Sequence, residues 1–299
     1  MRSAAAASLL GARRIVVPAN GIEFEVFEAG AGDRLALLLH GFPQHAVMWR
    51  HLVGPLVAAG YRVWAANQRG YGATTRPLAK EAYSLEALTG DVAGLIDAAR
   101  PTSVALIGHD WGGFIAWVVA IRKLRPIDAL VVLNIPHPLC FRQALEQEWR
   151  QKFKSAYAGF FQLPWLPDRL LSARGGAFTE RLMRWSAGRD GVFSKDEMEI
   201  YRANVASPGA ATAMLNWYRA AGLDILEAEN LDSPIDAPTL VVWGLRDAAL
   251  GESCLNGTER YVRGLRIERL AGVSHWTPED APEKVNALIL DFVENIRRF

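Results

Sequence analysis

The chain has 299 residues, of which 51% are apolar and 22% charged, with 33 Lys and Arg against 32 Asp and Glu. A chain of this length buries a large core, and its composition excludes a wholly disordered protein. The net charge of +1 argues against a general nucleic-acid binder, because neutralising phosphates requires a basic surplus.

The N-terminal segment MRSAAAASLLGARR is Ala-rich and basic. Its apolar centre is short for a secretory signal, so we predict a disordered tail over residues 1–14, with a transit peptide as the alternative. The two cysteines, Cys140 and Cys254, show no metal-ligand spacing, and no apolar run approaches the roughly 20 residues of a membrane span. We therefore expect a cytoplasmic protein with no metal site and no membrane span.

Alternation and apolar runs predict the strands. Residues Ile22 to Phe27 (IEFEVF) alternate apolar and charged side chains, which is typical of a half-buried antiparallel strand. Five short runs are apolar throughout, which is typical of strands buried on both faces of a parallel sheet. These runs are Leu35 to Leu39, Val63 to Ala66, Val104 to Ile107, Leu130 to Leu133, and Leu240 to Trp243.

Helical patterns lie between several of these strands. One begins after Ser84, a good N-cap, and continues to about Ala99. In the last helix, Thr277 is the predicted cap and Pro278 stands in the first turn. Strands that alternate with helices predict an α/β fold, with a mostly parallel central sheet flanked by helices.

The interval from Pro138 to Asp236 breaks this alternation. It contains no buried-strand pattern, but it has many aromatic residues among helix formers. A structureless loop of about 100 residues is implausible inside a compact domain. We therefore predict a helical cap over residues 138–236, inserted into a core domain that residues 15–137 and 237–299 form.

The segment Gly108-His109-Asp110-Trp111-Gly112 joins a predicted strand to a predicted helix by a tight turn. Glycines on both sides are what a sharp turn between crowded backbones requires. The pattern is that of a nucleophile elbow with Asp in the usual Ser position, and a helix N-terminus favours an ionised carboxylate there. The alternative is that Asp110 only caps the helix.

Three further segments are candidates for the same site. His40-Gly41-Phe42-Pro43 comes after the first parallel strand, Asp247 lies just past a later one, and His275 stands in a loop before the last helix. Each of them alone could be an ordinary turn or loop residue. In chain order, however, Asp110, Asp247 and His275 are nucleophile, acid and base, which is the triad order of hydrolases with such an elbow.

With these motifs the chain resembles the α/β-hydrolase superfamily, and within it the epoxide hydrolase family, whose Asp-nucleophile branch is shared with haloalkane dehalogenases. The resemblance extends from Ile15 to the C-terminus and includes HGFP, RGYG, GHDWGG, WGxxD and GxSHW in family order. It implies an α/β-hydrolase fold. It also places the two oxyanion-hole amides at Phe42 and Trp111, and two cap tyrosines that bind the epoxide oxygen at Tyr157 and Tyr218, for which core packing is the alternative role.

The resemblance implies a hydrolase acting on ether bonds, one that converts a lipophilic epoxide and water to a vicinal diol without a cofactor. Asp110 would form a covalent hydroxyalkyl ester, and water activated by His275 would hydrolyse it while Asp247 orients the imidazole. The substrate is expected to contact four aromatic residues of the core and cap. These are Phe42, Trp111, Trp217 and Trp276.

Two other functions stay open. A haloalkane or haloacid dehalogenase would use the same Asp110, Asp247 and His275, whereas a catalytically inactive protein of this fold would bind a ligand without turnover. A homodimer is also open, and the small-molecule epoxide is the only partner that the sequence suggests.

The remaining histidines have structural interpretations. We expect His45 at a solvated helix start, His109 packed beside the elbow, and His137 in a structural role where the cap begins. Asn134 follows a strand at a position where some relatives place the triad acid, and because Asn cannot serve as that acid, Asp247 is the stronger candidate.

Overall fold

A central sheet of eight strands organises the protein. The structure, a computed structural model, describes residues 2–222, 224 and 230–296, so the parts of the predicted tail, cap and core at residues 1, 223, 225–229 and 297–299 lie outside the described residues. The strands are β1 (Arg13–Ala19), β2 (Ile22–Ala29), β3 (Arg34–Leu39), β4 (Arg62–Ala66), β5 (Ser103–His109), β6 (Ala129–Leu133), β7 (Thr239–Gly244) and β8 (Leu265–Leu270).

The strand order is β1-β2-β4-β3-β5-β6-β7-β8. The pairs β1–β2 and β2–β4 are antiparallel, and all the pairs from β4–β3 to β7–β8 are parallel. Each of the five predicted apolar runs lies within one of the strands β3 to β7, and the alternating segment lies within β2. The predicted α/β fold with a mostly parallel sheet is therefore confirmed.

Helices cover both faces of this sheet. They are α1 (Arg2–Leu10), α2 (Arg50–Ala58), α3 (Leu85–Ala99), α4 (Trp111–Ile121), α5 (Pro138–Gln147), α6 (Trp149–Lys154), α7 (Ala156–Phe161), α8 (Leu166–Ala187), α9 (Lys195–Val205), α10 (Ala210–Arg219), α11 (Thr277–Asp280) and α12 (Pro282–Glu294). Leu37 and Leu39 of β3 pack in the core that α3 and α4 share, whereas Ala36 and Leu38 pack in the core of α2 and α12. The alternation along β3 thus separates two hydrophobic cores, one on each face.

The prediction of a disordered tail over residues 1–14 is wrong for the described residues. Residues 2–10 form helix α1, and β1 begins at Arg13, so the core starts before Ile15. Ala6 and Leu10 are buried and pack in the same core as the short 3₁₀ helix Ala46–Trp49 and α2. Alanine favours helix strongly, and the i,i+4 spacing of these two residues places both on the side of the helix that faces the core.

The predicted start of the last helix is also wrong. Thr277 is the first residue of the short helix α11, and the last helix, α12, begins at Pro282. Proline has no backbone N–H to continue a helix, so Pro282 separates the two. The Asp280 carboxylate instead accepts hydrogen bonds from the Ser274 amide and the Arg189 guanidinium, at 2.6 Å each.

The interval predicted as the cap, residues 138–236, contains helices α5 to α10, and its described residues form no strand. Helix α8 is interrupted at residues 173–176, where the backbone leaves helical geometry. Ile235 already forms an isolated parallel bridge to Val262, close to the start of β7. A separate cap domain with these boundaries stays a prediction. Among the helices that the structure describes, none has both the length and the apolar character that crossing a membrane requires.

Candidate active site

The turn between β5 and α4 holds Asp110 in a strained conformation. Its φ is 49° and its ψ is −124°, a backbone geometry that L-residues rarely adopt. A Cβ on Gly108 would come within 2.5 Å of the Gly113 amide, and a Cβ on Gly112 would collide with the Leu39 carbonyl. The Asp110 side chain makes no capping hydrogen bond to α4, which removes the helix-cap alternative. The turn therefore presents a carboxylate that the local backbone does not use.

Both oxygens of the Asp110 carboxylate have neighbours with distinct chemistry. Its Oδ1 accepts a hydrogen bond of 2.8 Å from the Phe42 amide, and its Oδ2 lies 3.5 Å from His275 Nε2. The side chain is buried, which by itself disfavours its charged form, but His275, His109 and the Phe42 amide together hold the pKa of Asp110 below its usual value. Asp110 is therefore ionised at neutral pH.

The imidazole of His275 lies between two carboxylates. Its Nδ1 is 2.6 Å from Asp247 Oδ2, while its Nε2 faces Asp110. Burial alone would lower the pKa of His275, but the two negative charges raise it to about 10. Asp247 comes from the loop after β7 and His275 from the loop after β8. The three residues of the predicted triad are thus brought together in the expected order.

Four groups hold Asp247 in place. Its Oδ1 accepts hydrogen bonds from the Ala249 and Leu250 amides at 2.7 and 2.9 Å, and its Oδ2 accepts one of 2.8 Å from Asn134 Nδ2. Although burial opposes its ionisation, His275 and these donors keep the pKa of Asp247 below its usual value. The sequence analysis treated Asn134 only as an unsuitable acid and missed this contact. Its position directly after the buried strand β6 was the signal available for it.

Gly41 is the point where the loop after β3 comes close to Asp110. A Cβ on Gly41 would collide with Asp110 Cβ and come within 2.7 Å of its Oδ1. We expect Gly41→Ala to displace the carboxylate from the Phe42 amide, to lower epoxide turnover about 100-fold and to cost about 1–3 kcal/mol of stability. Steady-state kinetics and thermal unfolding measure both effects.

Gly54→Ala is the matched control for this prediction. Gly54 lies inside α2, and a Cβ there would have no atom within 4 Å. This variant should keep full activity and gain stability, since alanine favours helix more than glycine. Equal activity of the Gly41→Ala variant and the wild type would contradict the close approach.

Tyr157 and Tyr218 stand on helices of the cap interval, α7 and α10, and line the same cavities as Asp110. Their ring centroids are 6.1 Å apart, and the Tyr218 ring lies 5.2 Å from Phe42 and 5.0 Å from Trp111. Burial and then the charge of Asp110 raise the pKa of Tyr157, while the Tyr218 hydroxyl lowers it. Burial also raises the pKa of Tyr218. Both phenols are therefore protonated at neutral pH and can act as hydrogen-bond donors.

Two cavities reach Asp110, and Tyr157 and Tyr218 line both of them. The first chamber has a volume of about 390 Å³ and includes Trp111 and Phe114 in its wall. The second chamber has a volume of about 450 Å³ and includes His275. Apolar side chains form most of both walls. Tyr157 keeps 38% of its surface accessible because it borders these cavities.

Three of the four predicted substrate contacts line a chamber, and one does not. Trp111 lines the first chamber, and Phe42 and Trp276 line the second. The prediction for Trp217 is wrong: it lines neither cavity, it is 1% exposed, and its indole N–H donates to the Arg69 carbonyl at 3.1 Å. The Trp217 ring packs against the Trp111 ring in an edge-to-face arrangement, with a centroid distance of 5.8 Å.

The two predicted oxyanion-hole amides belong to different loops. The Phe42 amide already contacts Asp110 Oδ1. Trp111 is the first residue of α4, and a helix leaves its first amides without an internal acceptor. Both amides are therefore placed to stabilise negative charge beside Asp110, although only the first makes a hydrogen bond to the carboxylate.

His45, His109 and His137 are buried, and burial lowers the pKa of each of them. His109 Nε2 lies 2.8 Å from the His275 carbonyl, which confirms its packing beside the elbow. His137 caps α5 and stacks on Tyr261 at 4.5 Å, which confirms its structural role. The solvated position expected for His45 is wrong, because its ring is buried and accepts a hydrogen bond from the Val47 amide. The described residues contain no group of three or more His, Cys, Asp or Glu that could hold a metal ion.

Comparisons with known proteins agree with this geometry. The family model of the alpha/beta hydrolase fold matches residues 37–282. The chain is 35% identical over 280 residues to the AB hydrolase superfamily protein YfhM of Bacillus subtilis, covering 93% of this chain and 97% of the relative. It is 34% identical over 286 residues to epoxide hydrolase 4 of Homo sapiens, covering 93% of this chain and 78% of the relative.

Solved structures share the fold over nearly the whole chain. A variant of an epoxide hydrolase from Bacillus megaterium, complexed with its diol product, matches with a TM-score of 0.86 and 26% identity, covering 94% of this chain and 100% of that one. Epoxide hydrolase A from Mycobacterium thermoresistibile matches with a TM-score of 0.81 and 28% identity, covering 95% of this chain and 98% of that one.

Proposed function

The chain belongs to the α/β-hydrolase fold family, with named epoxide hydrolases among its relatives, and from this premise we propose that it hydrolyses a lipophilic epoxide to a vicinal diol through an ester of Asp110. One observation supports this most. An ionised carboxylate at a strained elbow lies between an amide donor, an imidazole and two protonated phenols. A serine hydrolase needs a hydroxyl at that point, whereas an electrophilic sp³ carbon needs the carboxylate itself.

In the first half-reaction, Asp110 opens the ring. The Phe42 amide occupies Oδ1, which leaves Oδ2 to form the bond to an epoxide carbon. As that bond forms, the carbon–oxygen bond of the ring breaks and its electron pair stays on the epoxide oxygen. Tyr157 and Tyr218 donate hydrogen bonds to this oxygen, and one of them supplies its proton, because an alkoxide leaves poorly without a donor.

In the second half-reaction, His275 activates water. Alkylation makes Asp110 neutral and removes one of the two charges that raise the pKa of His275, so the imidazole becomes free to accept a proton from water. The resulting hydroxide attacks the ester carbonyl, and the amides of Phe42 and Trp111 stabilise the oxyanion. On collapse, the former Oδ2 leaves in the diol and takes the proton from His275, and the remaining proton restores the phenol. Asp247 stabilises the transient imidazolium.

The chambers support a lipophilic substrate. Both have walls that are mostly apolar, and both meet at Asp110 and the two tyrosines. An epoxide carbon that reacts at this junction can extend one substituent into each chamber. Cavities of this size suit small organic ligands that are mostly buried on binding.

A single turnover in ¹⁸O-labelled water tests the ester mechanism. With enzyme in excess over styrene oxide or a comparable aryl epoxide, the first diol should contain no label, and label should appear in the Asp110 carboxylate. The reason is that water attacks the carbonyl carbon, and Asp110 gives its own Oδ2 to the product. Mass spectrometry of the diol and of the Asp110 peptide measures both.

Label in the first diol would contradict the ester. Halide release from a 1-haloalkane under the same conditions serves as the control for the dehalogenase alternative, which uses the same triad. Faster turnover of the haloalkane than of all epoxides offered would overturn the proposed substrate class. Ligand binding without turnover of either class would favour the inactive binding protein.

A further inference from the structure

Exposed apolar side chains concentrate on one part of the surface. Among the residues that the structure describes, eleven large apolar side chains are exposed, and seven of these lie between residues 149 and 185 in addition to Tyr157, which borders the cavities. Monomeric soluble proteins rarely expose apolar groups together unless the patch has a binding role. The concentration of exposed apolar side chains on a single segment therefore indicates that this surface binds a partner.

Four aromatic residues of this segment form a surface that we name the rim. They are Trp149 and Phe153 on α6, with 72% and 78% exposure, and Phe178 and Trp185 on α8, with 42% and 71%. Phe153, Phe178 and Trp185 all line the second chamber and are exposed, so they border its opening. Trp149 lies one turn before Phe153 on the same side of α6. The rim is thus a group of exposed aromatic side chains at an entrance to the site.

Positive charge accompanies the rim. Residues 149–188 contain seven Lys and Arg against two Asp and Glu, although the whole chain has a net charge of only +1. Both acids already have arginine partners, Glu180 with Arg184 and Asp168 with Arg219. The exposed guanidinium of Arg150 lies 5.6 Å from the Trp149 ring centroid, and exposed Arg181 lies one turn from both Phe178 and Trp185. Cations and large aromatic groups therefore share one surface.

We propose that the rim binds an anionic lipid surface and that the second chamber opens toward it. Tryptophan, phenylalanine and arginine side by side are what a protein uses to lie at a membrane interface, with rings among the acyl chains and cations at the lipid phosphates. A second copy of this chain fits worse, because a two-fold interface would place the same positive surfaces against each other. Entry of a bilayer-dissolved epoxide through the rim rests on the proposed function, whereas lipid binding itself does not.

Vesicle flotation with the full chain tests this proposal. The wild type should bind phosphatidylcholine vesicles that contain about 30% phosphatidylserine, and binding should weaken at about 0.5 M salt. Phosphatidylcholine alone should bind about tenfold less. The triple variant Trp149→Ser/Phe153→Ser/Trp185→Ser and the charge reversal Arg150→Glu/Arg181→Glu should each lose about tenfold in vesicle affinity.

Two controls separate the rim from general surface effects. Val16 and Leu78 are 50% and 91% exposed outside the rim, so Val16→Ser/Leu78→Ser should bind vesicles like the wild type. The charge reversal should keep wild-type turnover of a water-soluble epoxide, since neither arginine lines a chamber. Absence of epoxide turnover by the wild type would contradict the proposed function, but it would not change what the vesicle experiment shows about lipid binding.

Three outcomes would overturn lipid binding by the rim. The first is no binding of the wild type to anionic vesicles, and the second is equal binding by the rim variants and the control. The third is a wild-type dimer in sedimentation velocity that the triple variant dissociates while neither protein binds vesicles, which would assign the rim to a second copy.

Discussion

Replacing His275 by glutamine should yield a protein that an epoxide alkylates once on Asp110 and that then stops. In the proposed mechanism, opening the ring needs the Asp110 carboxylate and the two phenols, none of which this substitution removes. Hydrolysis needs a base that accepts a proton from the attacking water, and the amide side chain of glutamine cannot act as that base. We expect steady-state turnover to fall by about 10³- to 10⁴-fold, the usual worth of a positioned base. Intact-mass spectrometry should show the mass of one epoxide added to each chain.

Two variants bracket this result. His275→Gln combined with Asp110→Ala should gain no mass, because the nucleophile is absent. His51→Gln removes an exposed imidazole from α2 that lines neither chamber, and this variant should turn over like the wild type. Turnover by His275→Gln at the wild-type rate would contradict the role of His275 as base. Absence of any adduct in this variant, while the wild type forms diol, would contradict the ester.

The double variant Tyr157→Phe/Tyr218→Phe should lose the ability to form the ester. In the proposed mechanism, each phenol donates a hydrogen bond to the oxygen where charge develops, and one such donor contributes about 10²- to 10³-fold in rate. We expect about 10⁴-fold slower alkylation when both are absent, since no proton donor then remains for the alkoxide. Rapid-quench measurement of ester formation in a single turnover gives this rate directly.

Tyr71→Phe is the matched control for the tyrosine pair. Tyr71 is also a buried tyrosine, but it lines neither chamber, and its ring packs on His40. Among the described residues its hydroxyl has no hydrogen-bond partner, so the control should alkylate at the wild-type rate.

Hydrolysis of a preformed ester should proceed at the wild-type rate in the double variant Tyr157→Phe/Tyr218→Phe. Equal alkylation by the double variant and Tyr71→Phe would remove the phenols from the reaction.

The sequence was most informative where buried parallel strands end. Such strands are apolar throughout, so β3, β5 and β7 could be recognised, and the polar residue after each one has its position determined by the sheet. Asp110 follows β5, Asp247 follows β7 and the Phe42 segment follows β3. Because the carboxyl ends of parallel strands share one edge of the sheet, the positions of these residues along the chain were enough to predict that they lie close together.

The misses have equally physical causes. Strands β1 and β8 lie at the two ends of the strand order, and their half-exposed sequences, RRIVVPA and LRIERL, contain charges that hide the apolar pattern. Trp217 was assigned to the substrate because aromatic residues are dense there, but composition does not show which side of α10 faces a cavity. The burial of Ala6 and Leu10 depends on a groove that distant residues form.

The groups of the site come from two different parts of the chain. Asp110, Asp247 and His275 stand on loops of the sheet, whereas Tyr157 and Tyr218 stand on helices inserted between β6 and β7. In the proposed mechanism, formation of the ester uses side chains of the inserted helices, whereas its cleavage uses reacting groups that stand on the loops of the sheet alone. Sequence variation around the two tyrosines would therefore change the rate at which an epoxide forms the ester, while the rate of product formation from the ester stays the same. Gln151 and Lys154 of α6 hydrogen-bond to the loop that carries Asp247, so the test excludes them. A library of variants confined to residues 156–222 should therefore vary widely in the rate constant of ester formation and little in that of ester cleavage.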